Sequence, residues 1–138
     1  MTQSFEELSQ ERKDLQTKGW LPDWYTTQAW QMFKAKYAVA GEQAVYGRHK
    51  TIAKTLSKHM IGNELYWEEK FFNLLWKGWL SPATPVLSNC GTDRGLTVSC
   101  SGQYVGDSVD SFYKARYEWA ILSKNGFGCS ADFSAVRQ

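Results

Sequence analysis

Apolar positions recur three, four and seven residues apart through the first half of the chain, and the pattern changes near residue 78. The opening SFEELSQERKDLQTKG predicts a helix over 4–17. Ser4 and Glu7 have the spacing of a capping box, in which a hydroxyl and a carboxylate each take up a free backbone N–H. Gly19 ends this helix, and WLPDW over 20–24 is a turn with aromatic anchors. A second helix is expected from Thr27 to Ala40, with Trp30, Phe33 and Tyr37 on one face and Gly41 as its stop. A third spans Val45–Ile61, placing Ile52, Leu56 and Met60 on one side and the cations Arg48, Lys50, Lys54 and Lys58 on another. Asn63 is positioned to cap a fourth, Glu64 to Lys77, with Trp67, Phe71, Leu74 and Leu75 as its apolar stripe and Gly78 and Pro82 closing it.

The next stretch, SPATPVLSNCGTDRGLTVSCSG over 81–102, abandons helical spacing. Leu96, Val98 and Cys100 alternate with Thr97, Ser99 and Ser101, which predicts a strand within 96–105. Residues 83–90 are the nearest candidate for a neighbouring strand. A fifth helix opens at Asp107 or Ser108 and runs to Lys124, and Gly126 and Gly128 then set a glycine turn, NGFGCSADF. A single short strand cannot make a sheet. The chain therefore divides into a helical region, 1–78, and the beginning of a larger α/β element, 79–138.

Composition narrows the class. Hydrophobic residues make up 43% of the 138, with seven each of Trp, Tyr and Phe, which excludes a disordered tail. The net charge of +2 gives no argument for nucleic acid, and the Lys50, Lys54, Lys58 face reads as solvated surface, as do His49 and His59. No apolar run approaches the roughly 18 residues of a membrane span. The polar, acidic N-terminus does not read as a signal peptide. With three cysteines, an odd number, the expected setting is a reducing cytoplasm. Cys90 and Cys129 form no CxxC and no metal-ligand spacing, and are expected to be structural.

Several motifs in a fixed order, ATPVLSN, GLTVSCSG, DS, NGFG and VR, resemble the N-terminal part of a ribonucleotide reductase large, catalytic chain. The Trp-rich lead, GWLPDWYTTQAWQMF and WEEKFFNLLWKGWL, is most similar to the short class I large chains of bacteriophages. The resemblance runs from about residue 19 to the end. It implies an N-terminal helical region without an ATP cone, followed by the first strands and helix of an incomplete ten-stranded α/β barrel.

The resemblance also assigns roles. Thr84 falls on a substrate-phosphate position, Ser99 on another substrate contact, and Cys100 on the first cysteine of the redox pair that reduces the ribose 2′ carbon. Thiol pairs do supply reducing equivalents by disulfide formation. From residue type alone, Cys100 is equally a small buried hydrophobe. Neighbouring strand side chains point to opposite faces, so Ser99 and Cys100 share a pocket only if Ser99 works through its backbone or the strand bulges. Asp107 and Ser108 fall on the site for a deoxynucleoside triphosphate or ATP effector, and both are also good helix caps. Arg137 falls on an effector-phosphate ligand, a role that suits a permanently charged fork. The helix 108–124, with Val109, Phe112, Tyr113, Trp119, Ala120 and Ile121, resembles a dimer-interface helix, and its pattern alone also fits core packing.

The radical-bearing cysteine, the second redox cysteine and the remaining barrel of this family lie far downstream of the matched region. The expectation is thus an inactive N-terminal part of a ribonucleoside-diphosphate reductase. Its expected partners are the C-terminal part of the large chain, a small radical-generating subunit, a second large chain, and thioredoxin or glutaredoxin. Nucleic acid and membrane are not among them. No cofactor is expected to be held by the chain itself beyond the effector. The radical would come from a metal-containing small subunit or, alternatively, from adenosylcobalamin. The setting would be cytoplasmic, in the host if phage-encoded. The competing expectation is a free-standing, non-catalytic module that binds a deoxynucleoside triphosphate.

Overall fold

The structure, a computed structural model, describes residues 3–137. Four helices come first: α1 (Phe5–Thr17), α2 (Thr27–Lys36), α3 (Ala44–Ser57) and α4 (Glu64–Trp76). A short helix, α5 (Thr84–Asn89), precedes β1 (Cys100–Tyr104), α6 (Val109–Lys124) and β2 (Gly128–Asp132). The chain divides between Thr97 and Val98 into a helical unit and a strand–helix–strand unit.

The start of α1 forms as its sequence predicts. Ser4 Oγ accepts from Glu7 N at 3.2 Å and Glu7 Oε2 accepts from Ser4 N at 2.8 Å. The helical core then splits into two clusters. Leu8, Leu21, Trp30, Phe33 and Val45 make one, with the Trp30 and Phe33 rings stacked at 5.8 Å. Ile52, Leu75 and Cys90 make the other, flanked by Val86 and Leu87.

Several expected boundaries move. The second helix ends at Lys36 with Tyr37 as its cap, and the third at Ser57. Asn63 occupies the cap position of α4, but its side chain makes no capping bond. Glu64 Oε1 instead accepts from Gly62 N at 3.2 Å. The buried side of α4 is centred on Leu75, with Phe72 and Trp76 stacked on each other and edge-on to Tyr46, so Trp67 and Leu74 are left largely exposed.

Two residues expected at the surface are buried. Arg48 and His49 are 0% and 3% exposed. The buried side of α3 is Val45, Arg48, His49, Ile52 and Ala53, a regular helical stripe with two polar members.

Residues 83–90 are not a strand. Pro85 sits in the first turn of α5, where its missing N–H is no loss and its fixed φ favours the helix. The true neighbour of β1 is β2, in a segment expected to be only a glycine turn. The pair is parallel, with Cys100 opposite Gly128 and Tyr104 opposite Asp132. Gly126, at φ +85°, does end α6, but the chain extends immediately afterwards. The strand expected from Leu96 begins only at Cys100. Leu96 and Val98 are exposed, and the Leu96 carbonyl is taken by Asn89 Nδ2 at 2.7 Å. The barrel expected from the resemblance is represented by these two strands and the helix between them.

Candidate functional site

The parallel pairing in the second unit requires a crossover, and α6 provides it. The chain therefore leaves β1 and β2 at the same end of the sheet, the end where open α/β sheets tend to bind ligands. Beyond β1, Val105 is wholly buried and its N–H bonds the Asp132 carbonyl at 3.0 Å. Gly106 N donates to Ser111 Oγ at 2.8 Å, which ties the turn down onto the first turn of α6.

Asp107 and Ser108 follow. Ser108 is the N-cap of α6, its Oγ accepting from Ser111 N at 3.1 Å. The Asp107 carboxylate is therefore not the cap, and its Oδ2 lies 3.2 Å from Arg137 Nε. On the β2 side, Asp132 Oδ1 accepts from Ser134 N at 2.9 Å. The backbone and side-chain hydrogen bonds from Ser134 hold the Asp132 carboxyl below its ordinary value. The two strand ends thus bring Asp107, Ser108 and Arg137 together around a helix N-terminus. Such an arrangement offers an anion free N–H groups and an arginine fork.

Cys100 and Ser99 stand at the opposite end of β1. Cys100 is exposed and carries a free thiol. Exposure alternates along both strands, so Cys100, Gly102 and Tyr104 share the open face with Gly128, Ser130 and Asp132. The other face turns toward α6, where Gln103 donates to Glu118 and Cys129 Sγ lies 3.9 Å from Ser123 Oγ. Ser99 precedes β1, and its carbonyl accepts from Gly128 N at 2.7 Å. The backbone of Ser99 is accordingly engaged in the sheet, and no bulge separates it from Cys100. On α6, Val109, Tyr113, Tyr117 and Ile121 are exposed at four-residue intervals, and only Ala115 is buried.

Thr84 belongs to the helical unit as the first residue of α5. Its hydroxyl is exposed and lies 3.3 Å from the Tyr37 hydroxyl. At the far end of α5, Arg48 Nε donates to the Leu87 carbonyl at 2.7 Å and its Nη2 to the Cys90 carbonyl. Arg48 Nη1 pairs with Glu42 Oε1 at 3.0 Å. Sequence reasoning missed Tyr37 and Arg48 as partners of this segment. The signal for Arg48 was its register: position 48 lies on the stripe 45, 48, 49, 52, 53, and a cation on that stripe must find acceptors inside.

Cys90 is buried among Ile52, Leu75, Val86 and Leu87. Burial raises its thiol pKa, against a smaller opposing effect of Arg48. Among the described residues, no helix is long and apolar enough to cross a membrane.

Residues 23–95 match the family described as "Ribonucleotide reductase, all-alpha domain". The chain is 36% identical over 75 residues to the ribonucleoside-diphosphate reductase subunit alpha of Chlamydia muridarum, covering 54% of this chain and 7% of that protein. It is 31% identical over 88 residues to a vitamin B12-dependent ribonucleoside-diphosphate reductase of Mycobacterium tuberculosis, covering 64% of this chain and 13% of the relative. Among solved structures it is similar to the Actinobacillus ureae class Id ribonucleotide reductase alpha subunit, with a TM-score of 0.68 and 32% identity over 86% of this chain and 21% of that one. The chain thus spans between about a fourteenth and a fifth of the length of these relatives. With more than half of its residues matched to the family, the chain belongs to the ribonucleotide reductases, as the N-terminal, all-α region of a large subunit.

Proposed function

We propose that this chain supplies the N-terminal part of a ribonucleoside-diphosphate reductase large chain and acts in the assembled enzyme. The observation that carries the reading is the extent of the likeness to a reductase alpha subunit, 86% of the chain, which reaches beyond the helical unit into the strand–helix–strand unit. The exposed thiol of Cys100 at the start of β1 suits a reductant that must meet substrate.

In this reading Thr84 and Ser99 contact substrate, and Cys100 is one thiol of a redox pair whose second cysteine lies in the rest of the large chain. Oxidation of the pair to a disulfide releases two electrons and two protons. The ribose C2′–OH bond breaks, its oxygen leaves as water, and a C–H bond takes its place. Asp107, Ser108 and Arg137 hold the effector, and the exposed stripe of α6 meets a second large chain. Thioredoxin or glutaredoxin returns the disulfide to thiols. The radical comes from a separate small, metal-containing chain. One relative's name records vitamin B12 dependence, which keeps adenosylcobalamin as the alternative source.

Reconstitution tests the proposal. The chain is combined with the remainder of the large chain, the radical source, effector and thioredoxin, and conversion of a ribonucleoside diphosphate is followed. Cys100→Ser should abolish turnover and leave binding of a deoxynucleoside triphosphate intact. Undiminished turnover in that variant would end the assignment. A chain that binds the triphosphate alone and never joins a catalytic assembly would support a nucleotide-binding module instead.

A further inference from the structure

Arg48 is wholly buried, and every acceptor that it meets belongs to α5, to the residue that caps it, or to Glu42. A helix as short as α5 leaves its last carbonyls without partners within the helix. The guanidinium fork takes two of them, Leu87 and Cys90, while Glu42 holds its third corner. A buried ion pair of this kind adds little net stability over an apolar filling of the same shape, but its planar fork fixes geometry. The other end of α5 is fixed from α2, where the Tyr37 hydroxyl meets that of Thr84 at 3.3 Å.

We infer that Tyr37 and Arg48 are positioning residues for Thr84: together they hold α5 at both ends, so that the Thr84 hydroxyl is presented in one orientation. The inference rests on the reading of Thr84 as a substrate contact. Either oxygen of the Tyr37–Thr84 pair can be the donor. When the phenol donates, the threonine's own O–H is free to donate outward, to an acceptor such as a phosphate oxygen.

The test uses the complete reductase assembled around this chain, with Tyr37→Phe, Thr84→Val and the double variant. Tyr37→Phe removes one oxygen and little else. It should raise KM for the ribonucleotide about threefold to tenfold with kcat within about twofold, the signature of lost ground-state positioning. The double variant should be no worse than Thr84→Val alone. Multiplying effects, or an unchanged KM in Tyr37→Phe, would overturn the inference for Tyr37. An unchanged KM in Thr84→Val would instead overturn the substrate-contact reading itself. For Arg48, Arg48→Lys keeps the charge and loses the fork, and Glu42→Gln loosens the fork without touching α5. Each should raise KM without lowering kcat in proportion, and neither should add to Thr84→Val. Should Arg48→Lys fail to fold, Glu42→Gln decides. An unchanged KM in the folded variants removes Arg48 from the proposal.

Discussion

Asp107 and Arg137 pair at 3.2 Å, although one follows the first strand of the sheet and the other lies beyond the second. The parallel pairing of β1 with β2 is what brings them to one end. The Arg137 side chain is 83% exposed, so the pair itself contributes little to folding. Arg137→Ala should leave unfolding free energy within about 0.5 kcal/mol of the parent. It should weaken binding of dTTP at least about tenfold by calorimetry, consistent with a lost charge-assisted contact. Equal affinity in the two proteins would remove Arg137 from the effector site.

The three thiols should separate by reactivity. Cys100 is exposed, Cys129 is half-buried beside Ser123, and Cys90 is buried with its pKa raised by that burial. Thiolate fraction and access together set the rate of alkylation. Iodoacetamide at neutral pH should modify Cys100 first and Cys129 more slowly, and should reach Cys90 only with unfolding, read by peptide mass spectrometry. Early modification of Cys90 would contradict the packing of α5 against α3.

His49 should make stability depend on pH. Desolvation, with a further contribution from the neighbouring Arg48, pushes its pKa from 6.5 down to about 4. The folded state therefore binds the proton less readily than the unfolded state. The contribution to stability is fully present above about pH 6.5 and is lost as pH falls toward 4. The loss across that window is about 3 kcal/mol. Urea unfolding at pH 7 and pH 4.5 should show a much smaller drop for His49→Leu than for the parent. Parallel losses in both would show that His49 titrates normally.

Gly91 is the tightest glycine in the helical unit. Its φ is +73°, and a Cβ there would lie 2.5 Å from Thr55 Oγ1 and 2.8 Å from Thr51 Cγ2. Gly91→Ala should cost at least about 2 kcal/mol, combining left-handed strain with overpacking. Gly41, at φ +85°, has nothing within 4 Å of its notional Cβ. Gly41→Ala should cost only about 1–2 kcal/mol from strain alone. Equal melting temperatures for the two variants would refute the close approach of Gly91 to α3.

Local chemistry made much of this legible. The Ser4–Glu7 box, the Gly126 stop and the Ser108 cap each act within a few residues, and they formed where the sequence placed them. The errors arose where tertiary packing decides. Arg48 and His49 looked solvent-facing because of their residue types, but their helical register put them inside and acceptors on α5 met the arginine. GCSAD carries no strand propensity to notice, and it is extended because β1 offers it a backbone ladder. Pro85 misdirected the reading of 83–90 toward extended structure, though a proline in the first helical turn has the opposite meaning.

The parallel pairing of β1 with β2 also bears on the order of events during synthesis. The successive helices α1 and α2, and then α3 and α4, pack as sequence neighbours, so each can settle soon after it leaves the ribosome. The two strands must wait for the whole of α6 to emerge between them, because a parallel pair closes only across its crossover. The all-α region is therefore in a position to be a finished platform while the first two strands are still searching for each other. A slow step in the maturation of this chain would then belong to the sheet.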